Sequence, residues 1–514
     1  MKQTVMEQFR ESLPAFEEMI DKFSKGEVSV KDYKGFSGGY GSYAQKGGEK
    51  NMLRLRLSGG QLSKDQLQFI VESIEKWQVD KVHFTTCQTI QLHDLQPDAV
   101  CDIMRRAVDV GILTRGGGGD FPRNVMASPL SGVEIGEYFD VTPYAMAAAD
   151  YLMEIIGTVK LPRKLKVAFS NSPANHTHAT FRDLGFVANS DHTFDVYSAG
   201  GLGNNARMGA LVAEHIPVEK ILYYIQAMVN TFTTYGNYEN RAKARTRYMQ
   251  ESLGTEGYVK AYQEKLQEVF AQYALDIDVK PVPVTKQGAG VAPDHPRICP
   301  QKQQGLYYVT YHPIGGSPVP SKLREIYDVI AGMEQVSLRV APDETMYIVN
   351  LTAEEAQKVA AVTDDGARTL FETSVACIGS SICQIGLRDS QELLRTLVET
   401  ARRENFADGV LPRIHISGCP SSCGTHQIGV LGFHGASKPV DKKPEPAFNF
   451  FVGGEDLQGK ERFGQRLGAM LVEDIPVFFT ELGRTVTASG LSFQDWFPAN
   501  REALIEMANK YIEG

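Results

Sequence analysis

Apolar and polar residues follow a fixed order of patterns near the start of the chain. The segment MLRLRLSGG, residues 52–60, alternates with the period of a strand, and SKDQLQFIVESIEKW, residues 63–77, has apolar residues at helical spacing. VHFTTCQTIQLHDL, residues 82–95, predicts a further extended segment. The order strand, turn, helix, strand predicts helices packed on a sheet, which is an α+β arrangement.

The same order of patterns recurs 256 residues further along the chain. LRLRLSGGQLSKDQL resembles YVTYHPIGGSPVPSKL, so that Gly59 corresponds to Gly315. VHFTTCQTIQLHDL ends at Leu95 and LRVAPDETMYIVNL ends at Leu351, which is again an offset of 256. A repeat at a fixed long offset indicates a duplicated unit.

Later segments match in the same order. LPRKLKV, from Leu161, resembles LPRIHIS, from Leu411, at an offset of 250, and GFVANS and LVAEHIPVEK have later counterparts in GFHG and LVEDIPVFFT. Two unrelated domains of the same class are the alternative explanation. We expect a duplicated chain with pseudo-twofold symmetry, with a ligand site at the junction where residues of both halves converge.

Composition and charge narrow the classes of protein. The formal charge of −9 argues against a general nucleic-acid binder, which needs basic residues to neutralise phosphates. The first residues, MKQTVMEQFRESLPAFEEMIDKF, mix charged and apolar positions and predict a surface helix rather than a secretory signal. No segment approaches the ~18 uncharged apolar residues of a membrane span, so we expect a cytoplasmic protein with no membrane partner.

Four of the seven cysteines form two spaced pairs. Five residues separate Cys377 from Cys383, and three separate Cys419 from Cys423. In a reducing compartment such thiols favour metal binding over disulfides. Around them lie small residues that let the backbone wrap closely, and all but the proline offer amide donors to a cluster of charged sulfides: Gly379, Ser380, Ser381, Gly418, Pro420, Ser421, Ser422 and Gly424. Zinc, which prefers tighter pairs, and four unrelated buried thiols are the alternatives.

This cysteine spacing, together with the repeats, resembles the family of sulfite and nitrite reductases that carry coupled sirohaem and 4Fe-4S centres. The resemblance covers nearly the whole chain. It implies that Cys377, Cys383, Cys419 and Cys423 all bind the 4Fe-4S cluster, and that Cys423 also ligates the sirohaem iron.

The resemblance also implies the domain organisation. The fold would be α+β and internally duplicated, with pseudo-twofold symmetry, ferredoxin-like half-repeats and two α+β domains that bind sirohaem and the iron-sulfur cluster. We expect an N-terminal helical segment at 1–45, the first half-repeat at 46–115 and a sirohaem and substrate-cation domain at 116–300. The second half-repeat would occupy 301–360 and the second sirohaem and 4Fe-4S domain 361–514.

Four basic residues match the family's substrate-binding quartet: Arg54, Arg123, Lys164 and Lys166. Fixed cations suit a site that must hold a small anion and deliver protons to it, because arginine offers a planar charged fork and lysine a movable ammonium. Lys164 and Lys166 alternate along an expected strand, so we expect both to project from one face.

Other positions resemble the family's sirohaem pocket. Gln91 and His93 match residues that line it, and Arg56, which alternates with Arg54, is a candidate contact for a haem carboxylate. Two departures remove cations, since the family usually has arginine where this chain has His83 and Cys87. Candidates for compensation are Arg115, Arg163, Arg241, Lys243, Arg245 and Arg247.

The expected activity is the six-electron reduction of sulfite to sulfide. In the family, lysine at the position of Lys166 is typical of sulfite reductases and asparagine of nitrite reductases, so nitrite reduction to ammonia is the alternative. A non-catalytic iron-sulfur electron carrier is a further alternative, motivated by His83 and Cys87. Neither GGLGNN nor RGGGGDF, which predicts a flexible loop, has the context of a dinucleotide site, so electrons would come from ferredoxin or a separate reductase subunit.

Overall fold

The computed structural model describes residues 3–513. Its helices, in chain order, are α1 Gln3–Ser24, α2 Val30–Ser37, α3 Lys64–Trp77, α4 Pro97–Ala107, α5 Thr142–Ile155, α6 Ile221–Tyr235, α7 Arg247–Leu253, α8 Thr255–Gln272, α9 Pro320–Ile330, α10 Ala353–Val362, α11 Ser390–Glu404, α12 Asp474–Ser489 and α13 Phe493–Glu513.

The strands form four sheets. In chain order they are β1 Ser42–Ala44, β2 Asn51–Arg56, β3 Gln61–Leu62, β4 Val82–Phe84, β5 Thr89–Leu95, β6 Met126–Ala127, β7 Val167–Ser170, β8 Leu184–Ala188, β9 Thr193–Ser198, β10 Ala210–Pro217, β11 Ile298–Pro300, β12 Tyr307–Tyr311, β13 Ser337–Val340, β14 Met346–Leu351, β15 Val375–Ala376, β16 Ile414–Ser417, β17 Leu431–Val440, β18 Lys443–Val452 and β19 Gln465–Leu471.

Two of the sheets belong to the ferredoxin-like half-repeats. Their strand orders are β1-β2-β5-β4 and β11-β12-β14-β13-β3. Gly59 and Gly315 each sit in a short 3-10 turn with φ of 61° and 60°, a conformation that glycine adopts without strain. The helices that follow begin at Lys64 and Pro320, so the predicted offset of 256 is observed.

The two half-repeats share one hydrophobic core. The short strand β3 of the first half pairs with β13 of the second, with Leu62 opposite Leu338. Buried residues of both halves, such as Ile70 and Ile326, belong to the same cluster. This strand exchange was absent from the sequence-based expectation, because a two-residue strand has no detectable periodicity.

The other two sheets repeat a second topology. β6, β7 and β8 run parallel and β9 and β10 continue antiparallel, and β15 to β19 do the same. The duplicated α+β fold expected from the sequence is therefore confirmed. Its strand registers are equivalent, because Val167 pairs with Leu184 as Ile414 pairs with Leu431.

The strand register corrects one detail of the repeat. Val167 corresponds to Ile414 and Leu184 to Leu431, an offset of 247 rather than the 250 obtained from LPRKLKV and LPRIHIS. Lys164 and Lys166 also precede β7 instead of lying within it, in an extended segment. Matching the identical letters LPR therefore aligns the two segments three residues out of the register that the strands have.

The N-terminal helix α1 is amphipathic, as its sequence predicts. It buries Phe9, Leu13 and Phe16 on one face and packs on α2 and α4. Within residues 3–513, no helix combines the length and apolar character that crossing a membrane requires.

Candidate functional site

One face of the first half-repeat carries a cross-strand row of polar side chains. Arg54 on β2 is opposite Gln91 on β5, which is opposite His83 on β4. With its amide oxygen towards Arg54, Gln91 accepts from Arg54 Nε at 3.0 Å and donates to His93 Nε2 at 3.3 Å. Gln91 and His93 therefore hold the Arg54 guanidinium, which places three of the expected site residues together.

His93 and His83 are buried at this face. Burial, followed by the charge of neighbouring basic groups, lowers the pKa of His93 well below its usual value. Burial likewise lowers the pKa of His83 to about 4, with the Arg54 charge contributing. Both rings are therefore neutral near neutral pH, and His83 brings no cation to the position where the family resemblance has arginine.

The glycine-rich segment RGGGGDF holds two arginines of the quartet. Gly117 O accepts from Arg54 Nη1 and from Arg123 Nη1, the latter at 2.7 Å, and Gly119 O accepts from Arg123 Nη2 at 3.0 Å. Gly119 N donates to Tyr43 Oη at 2.6 Å. A Cβ on Gly117 would lie 2.9 Å from the carbonyl oxygen of Thr114, so a side chain does not fit there. The expectation of a flexible loop is wrong, because this segment is a packed platform.

Arg56 also holds the segment RGGGGDF and the residues that follow it in place. Its guanidinium is buried and donates to the carbonyl oxygens of Arg115 at 2.6 Å, Pro122 at 3.3 Å and Arg123 at 3.0 Å. Burial and the nearby Arg123 charge lower the pKa of Arg56 to about 9. These contacts engage Arg56 with the main chain that carries Arg123, so its position favours an orienting role over the expected carboxylate contact.

Lys164 and Lys166 flank a buried leucine. Leu165 pairs with the segment before β6, donating to Phe121 O at 3.2 Å and accepting from Arg123 N at 2.8 Å. Because side chains alternate along an extended chain, both lysines lie on the face opposite Leu165. The two lysines and Arg123 therefore come from adjacent, paired segments.

The ammonium of Lys164 lacks a hydrogen-bond acceptor among residues 3–513. Burial, and then the charges of Arg245 and Arg123, lower its pKa well below the usual value for lysine. Burial also lowers the pKa of Lys166, partly offset by the neighbouring Cys87. The quartet therefore forms a recessed cationic surface that an anion would stabilise.

Cys87 lies in the turn between β4 and β5, against Lys166. Burial would raise the pKa of its thiol, but the charges of Lys166 and Arg182 outweigh burial and lower the pKa to about 6. Cys87 also packs against a small apolar cluster that contains Met126 and Ala179. At neutral pH this side chain is thus an anion within the cationic surface, a feature that the sequence did not reveal.

The four paired cysteines lie in loops that follow two adjacent parallel strands. Cys377 follows β15, Cys419 and Cys423 follow β16, and Cys377 N donates to Ile416 O at 3.1 Å. Gly418 N donates to Cys377 Sγ at 3.1 Å. Since parallel strands end at one edge of a sheet, the loops are neighbours.

Each of the other three thiols interacts electrostatically with Cys423. Burial and the proximity of Cys423 raise the pKa of Cys377 to about 12. Burial also raises the pKa of Cys423, whose further neighbours include Cys419 and Cys383. Among residues 3–513, no three histidine, cysteine or acidic side chains form a group that could hold a metal ion. A cubane cluster makes a different demand, because each thiolate binds its own iron at one corner.

The two halves meet at Cys423. Thr86 Oγ1 donates to Cys423 O at 2.8 Å, and the charges of Lys164 and Lys166 act on the Cys423 thiol. Gln427 exchanges two hydrogen bonds with Gly203 of the first half, at 2.7 and 3.0 Å. The expected cations and thiols are therefore brought together at the junction of the repeats.

The charge at this junction fits a polyanionic group. Asp183 already accepts from Arg245 Nη2 at 3.1 Å, from Thr246 and from Lys166 N at 2.9 Å. Several buried guanidinium nitrogens lack a partner in the described part of the chain: Arg123 Nε, Arg245 Nε and Arg247 Nη1. Buried cations without enough carboxylates favour an anionic ligand, such as a porphyrinoid with carboxylate groups.

The expected compensating cations differ in their partners, and Arg245, which pairs with Asp183, is engaged with an acid at the junction itself. Arg163 and Arg241 pair with Asp120 and Lys243 with Glu251, so these are engaged with acids. Arg115 stacks over the rings of Tyr40 and Phe121. Only Arg245 and Arg247 of the original candidates face the junction, and the sequence missed a further arginine, Arg182.

Comparisons with known proteins agree with this architecture. Residues 43–110 match the nitrite/sulfite reductase ferredoxin-like half domain, and residues 118–270 match the nitrite and sulphite reductase 4Fe-4S domain. The four cysteines lie outside the matched residues, in the half that repeats this fold.

Relatives of known name share about a quarter of the residues. The sulfite reductase (ferredoxin) 1 of Mycolicibacterium paratuberculosis is 25% identical over 81% of this chain and 75% of its own length. The ferredoxin–nitrite reductase of Synechococcus elongatus is 24% identical over 84% of this chain and 85% of its own. The solved structure of the Mycobacterium tuberculosis NirA protein has the same fold, with a TM-score of 0.80 and 23% identity over 98% of this chain and 97% of that one.

Proposed function

Since the chain belongs to the nitrite and sulphite reductase family, we propose that it catalyses the six-electron reduction of sulfite to sulfide. It is an oxidoreductase, like the relatives it matches. The observation that carries the proposal is the cationic surface of Arg54, Arg123, Lys164 and Lys166 beside Cys423. The names of the relatives support ferredoxin as the electron donor, with a separate reductase subunit as the other source.

We further propose that Cys377, Cys383, Cys419 and Cys423 hold a 4Fe-4S cluster and that Cys423 also ligates a sirohaem. When bound, these coupled groups would transfer electrons from the external donor to the substrate. Gln91, His93, Arg245 and Arg247 would line the sirohaem pocket, and the guanidinium nitrogens without partners support their role as contacts for its carboxylates.

The side chains of the quartet have different roles towards the substrate. Arg54 and Arg123 are fixed by Gly117 and Gly119, so their charged forks can orient the anion without moving. Lys164 has no acceptor among residues 3–513, and its lowered pKa makes the ammonium a better acid. Lys164 is thus suited to give a proton to an oxygen atom of the substrate.

Lys166 favours sulfite. Near neutral pH a substantial share of sulfite is the dianion, whereas nitrite is a monoanion, so an additional ammonium attracts sulfite more strongly. Lysine at this position is also typical of sulfite reductases in the family that this chain resembles.

Nitrite reduction to ammonia is the second candidate, and Cys87 is the observation that favours it. A thiolate beside Lys166 offsets one positive charge and reduces the advantage of a dianion. The two candidates therefore differ in how much charge the pair of Lys166 and Cys87 leaves for the substrate.

A paired assay tests both candidates. Anaerobic protein with reduced methyl viologen as donor is expected to have a several-fold higher kcat/KM for sulfite than for nitrite. A higher value for nitrite would select the second candidate. If protein that contains iron, acid-labile sulfide and sirohaem turned over neither anion, both proposals would be overturned.

A further inference from the structure

The junction between the halves contains an arginine that no motif identified. Arg182 precedes β8 and is 6% exposed, and its charge acts on Cys87. Cys87 itself packs against an apolar cluster that includes Ala179, in the turn that leads to Arg182. Arg182 thus lies beside the position at which the family resemblance has an arginine and this chain has a cysteine.

Both halves of the chain hold Arg182 in place. Its Nε donates to Thr177 O at 2.9 Å and its Nη2 donates to His178 Nδ1 at 3.2 Å. Because His178 Nδ1 accepts, its Nε2 carries the hydrogen and donates to Asp456 Oδ2 at 3.1 Å. Asp456 follows β18 of the second half and is itself tied to Asn175 Nδ2 through its carbonyl, at 2.9 Å.

The charge of Arg182 has no carboxylate ion-pair partner in the described part of the chain, and the anion that acts on it most is the Cys87 thiolate. The adjacent Asp183 is already engaged by Arg245, Thr246 and Lys166 N. Arg182 Nη1 makes no hydrogen bond among residues 3–513. A nearly buried guanidinium with one free end, rigidly oriented by Asp456 and His178, is arranged to bind an anionic oxygen.

We propose that Arg182 is a further anion-binding residue of this site, which supplies from the start of β8 the guanidinium that the family resemblance places at Cys87, and that His178 and Asp456 position it. Its ligand is an anionic oxygen of the proposed sirohaem carboxylates or of the substrate. The inference rests on the proposed function only for the identity of these ligands.

The test combines Arg182→Gln with a relocation of the charge. Holoprotein is purified from a host that makes sirohaem, and the bound cofactor per chain is measured by its visible absorbance and by iron content. KM for sulfite and nitrite is then measured on the loaded fraction. Arg395→Gln, on an exposed face of α11, is the matched control and is expected to change neither quantity.

The two sources of the anion give different results. If Arg182 binds a cofactor carboxylate, R182Q loses about ten-fold in sirohaem affinity and KM of the loaded fraction is unchanged. If it binds substrate, the cofactor content is unchanged and KM rises about ten-fold. In either case Cys87→Arg combined with R182Q restores at least half of the loss, which a purely structural role would not allow.

The proposal is overturned if R182Q changes neither cofactor content nor KM, or if the double variant restores nothing. If R182Q does not fold, the double variant decides, because failure of both to fold would mean that Arg182 only supports packing. Asp456→Asn, which keeps the shape of the side chain, is expected to cause a smaller loss of the same kind. Wild-type protein that binds sirohaem but reduces neither anion would contradict the proposed function. The measurement of sirohaem binding would still test the role of Arg182.

Discussion

Gln88 and Glu344 occupy the same position in the two halves, 256 residues apart, and each ties a half-repeat to the neighbouring sheet. Both have positive φ, 55° and 68°. Gln88 Oε1 accepts from Ala127 N at 3.0 Å, and Glu344 Oε2 accepts from Ala376 N at 3.1 Å. Gln88 Nε2 also donates to the carbonyl oxygens of Ala127 and Val340, both at 2.9 Å.

The symmetry predicts that Glu344 is a protonated acid. Phe84 is the counterpart of Val340, and a Cβ added at Gly316 would lie 2.8 Å from Glu344 Cβ and 2.9 Å from Phe84 O, so the side chain and this carbonyl are close. Glu344 Oε1 is buried without a hydrogen-bond partner, and burial raises the pKa of Glu344 well above its usual value. A proton on Oε1 would let it donate to a carbonyl, as the Gln88 amide does. His83, 3.8 Å away, is neutral and supplies no counter-charge.

Glu344→Gln is therefore expected to stabilise the protein by about 1 kcal/mol above neutral pH. A carboxyl whose pKa is raised in the folded state contributes stability that is fully present below its unfolded pKa, near 4.5, and is lost as pH rises towards the folded value. Between pH 5 and pH 8, the thermal midpoint should fall less in E344Q than in the wild type.

Gln88→Glu is the mirror control for this prediction. It places the same acid in the equivalent site, where the amide now donates to two carbonyls. We expect it to lower the midpoint, and more at pH 8 than at pH 5. An E344Q variant less stable than the wild type at pH 8 would show that Glu344 acts as a carboxylate.

The duplication was visible in the sequence because its turns impose a strict requirement. Gly59 and Gly315 both need φ near 60°, so glycine recurs at a fixed offset. The quartet and the cysteines were also visible, because they match motifs that a single sequence displays. Their convergence at Cys423 depended on the symmetry, which placed the two halves face to face.

The contacts that no motif encodes could not be predicted. Arg182 and Cys87 lie far apart in the sequence, so the effect of the Arg182 charge on Cys87 depends on tertiary structure. The segment RGGGGDF looked flexible, since glycine content alone does not distinguish a mobile loop from one packed too tightly for side chains. The absence of arginine at position 87 was the one signal that another cation was needed nearby.

Lys166→Asn is expected to change the choice of substrate. Removing the ammonium weakens the attraction for a dianion more than for a monoanion, so kcat/KM should fall by a larger factor for sulfite than for nitrite. A loss of about 1.4 kcal/mol for sulfite alone corresponds to a ten-fold change. Lys160→Asn, an exposed lysine just before this segment, should leave both values unchanged. Equal losses for the two anions in K166N would mean that Lys166 does not discriminate.

Cys423→Ser is expected to separate the two proposed centres. The hydroxyl is a poorer ligand than a thiolate for the soft iron of a cluster, and the other three thiols remain. We expect the variant to lose sulfite turnover and the magnetic coupling between haem and cluster, measured by electron paramagnetic resonance. Cys101→Ser, in α4, is the control and should keep both. Full activity in C423S would contradict the assignment of Cys423 as the shared ligand.

Cys87 should react as a thiolate near neutral pH in the cofactor-free chain. Its alkylation by iodoacetamide is expected to rise with pH around a midpoint near 6, because Lys166 and Arg182 stabilise the anion against the effect of burial. Cys87→Ser identifies the signal, since the variant loses the peptide that is labelled at pH 7. Removing a neighbouring cation in Lys166→Asn should raise the midpoint, because burial then opposes ionisation with less compensation. A midpoint that stays the same in K166N would show that Lys166 and Cys87 do not interact. The proposal of nitrite as substrate would then lose its supporting observation.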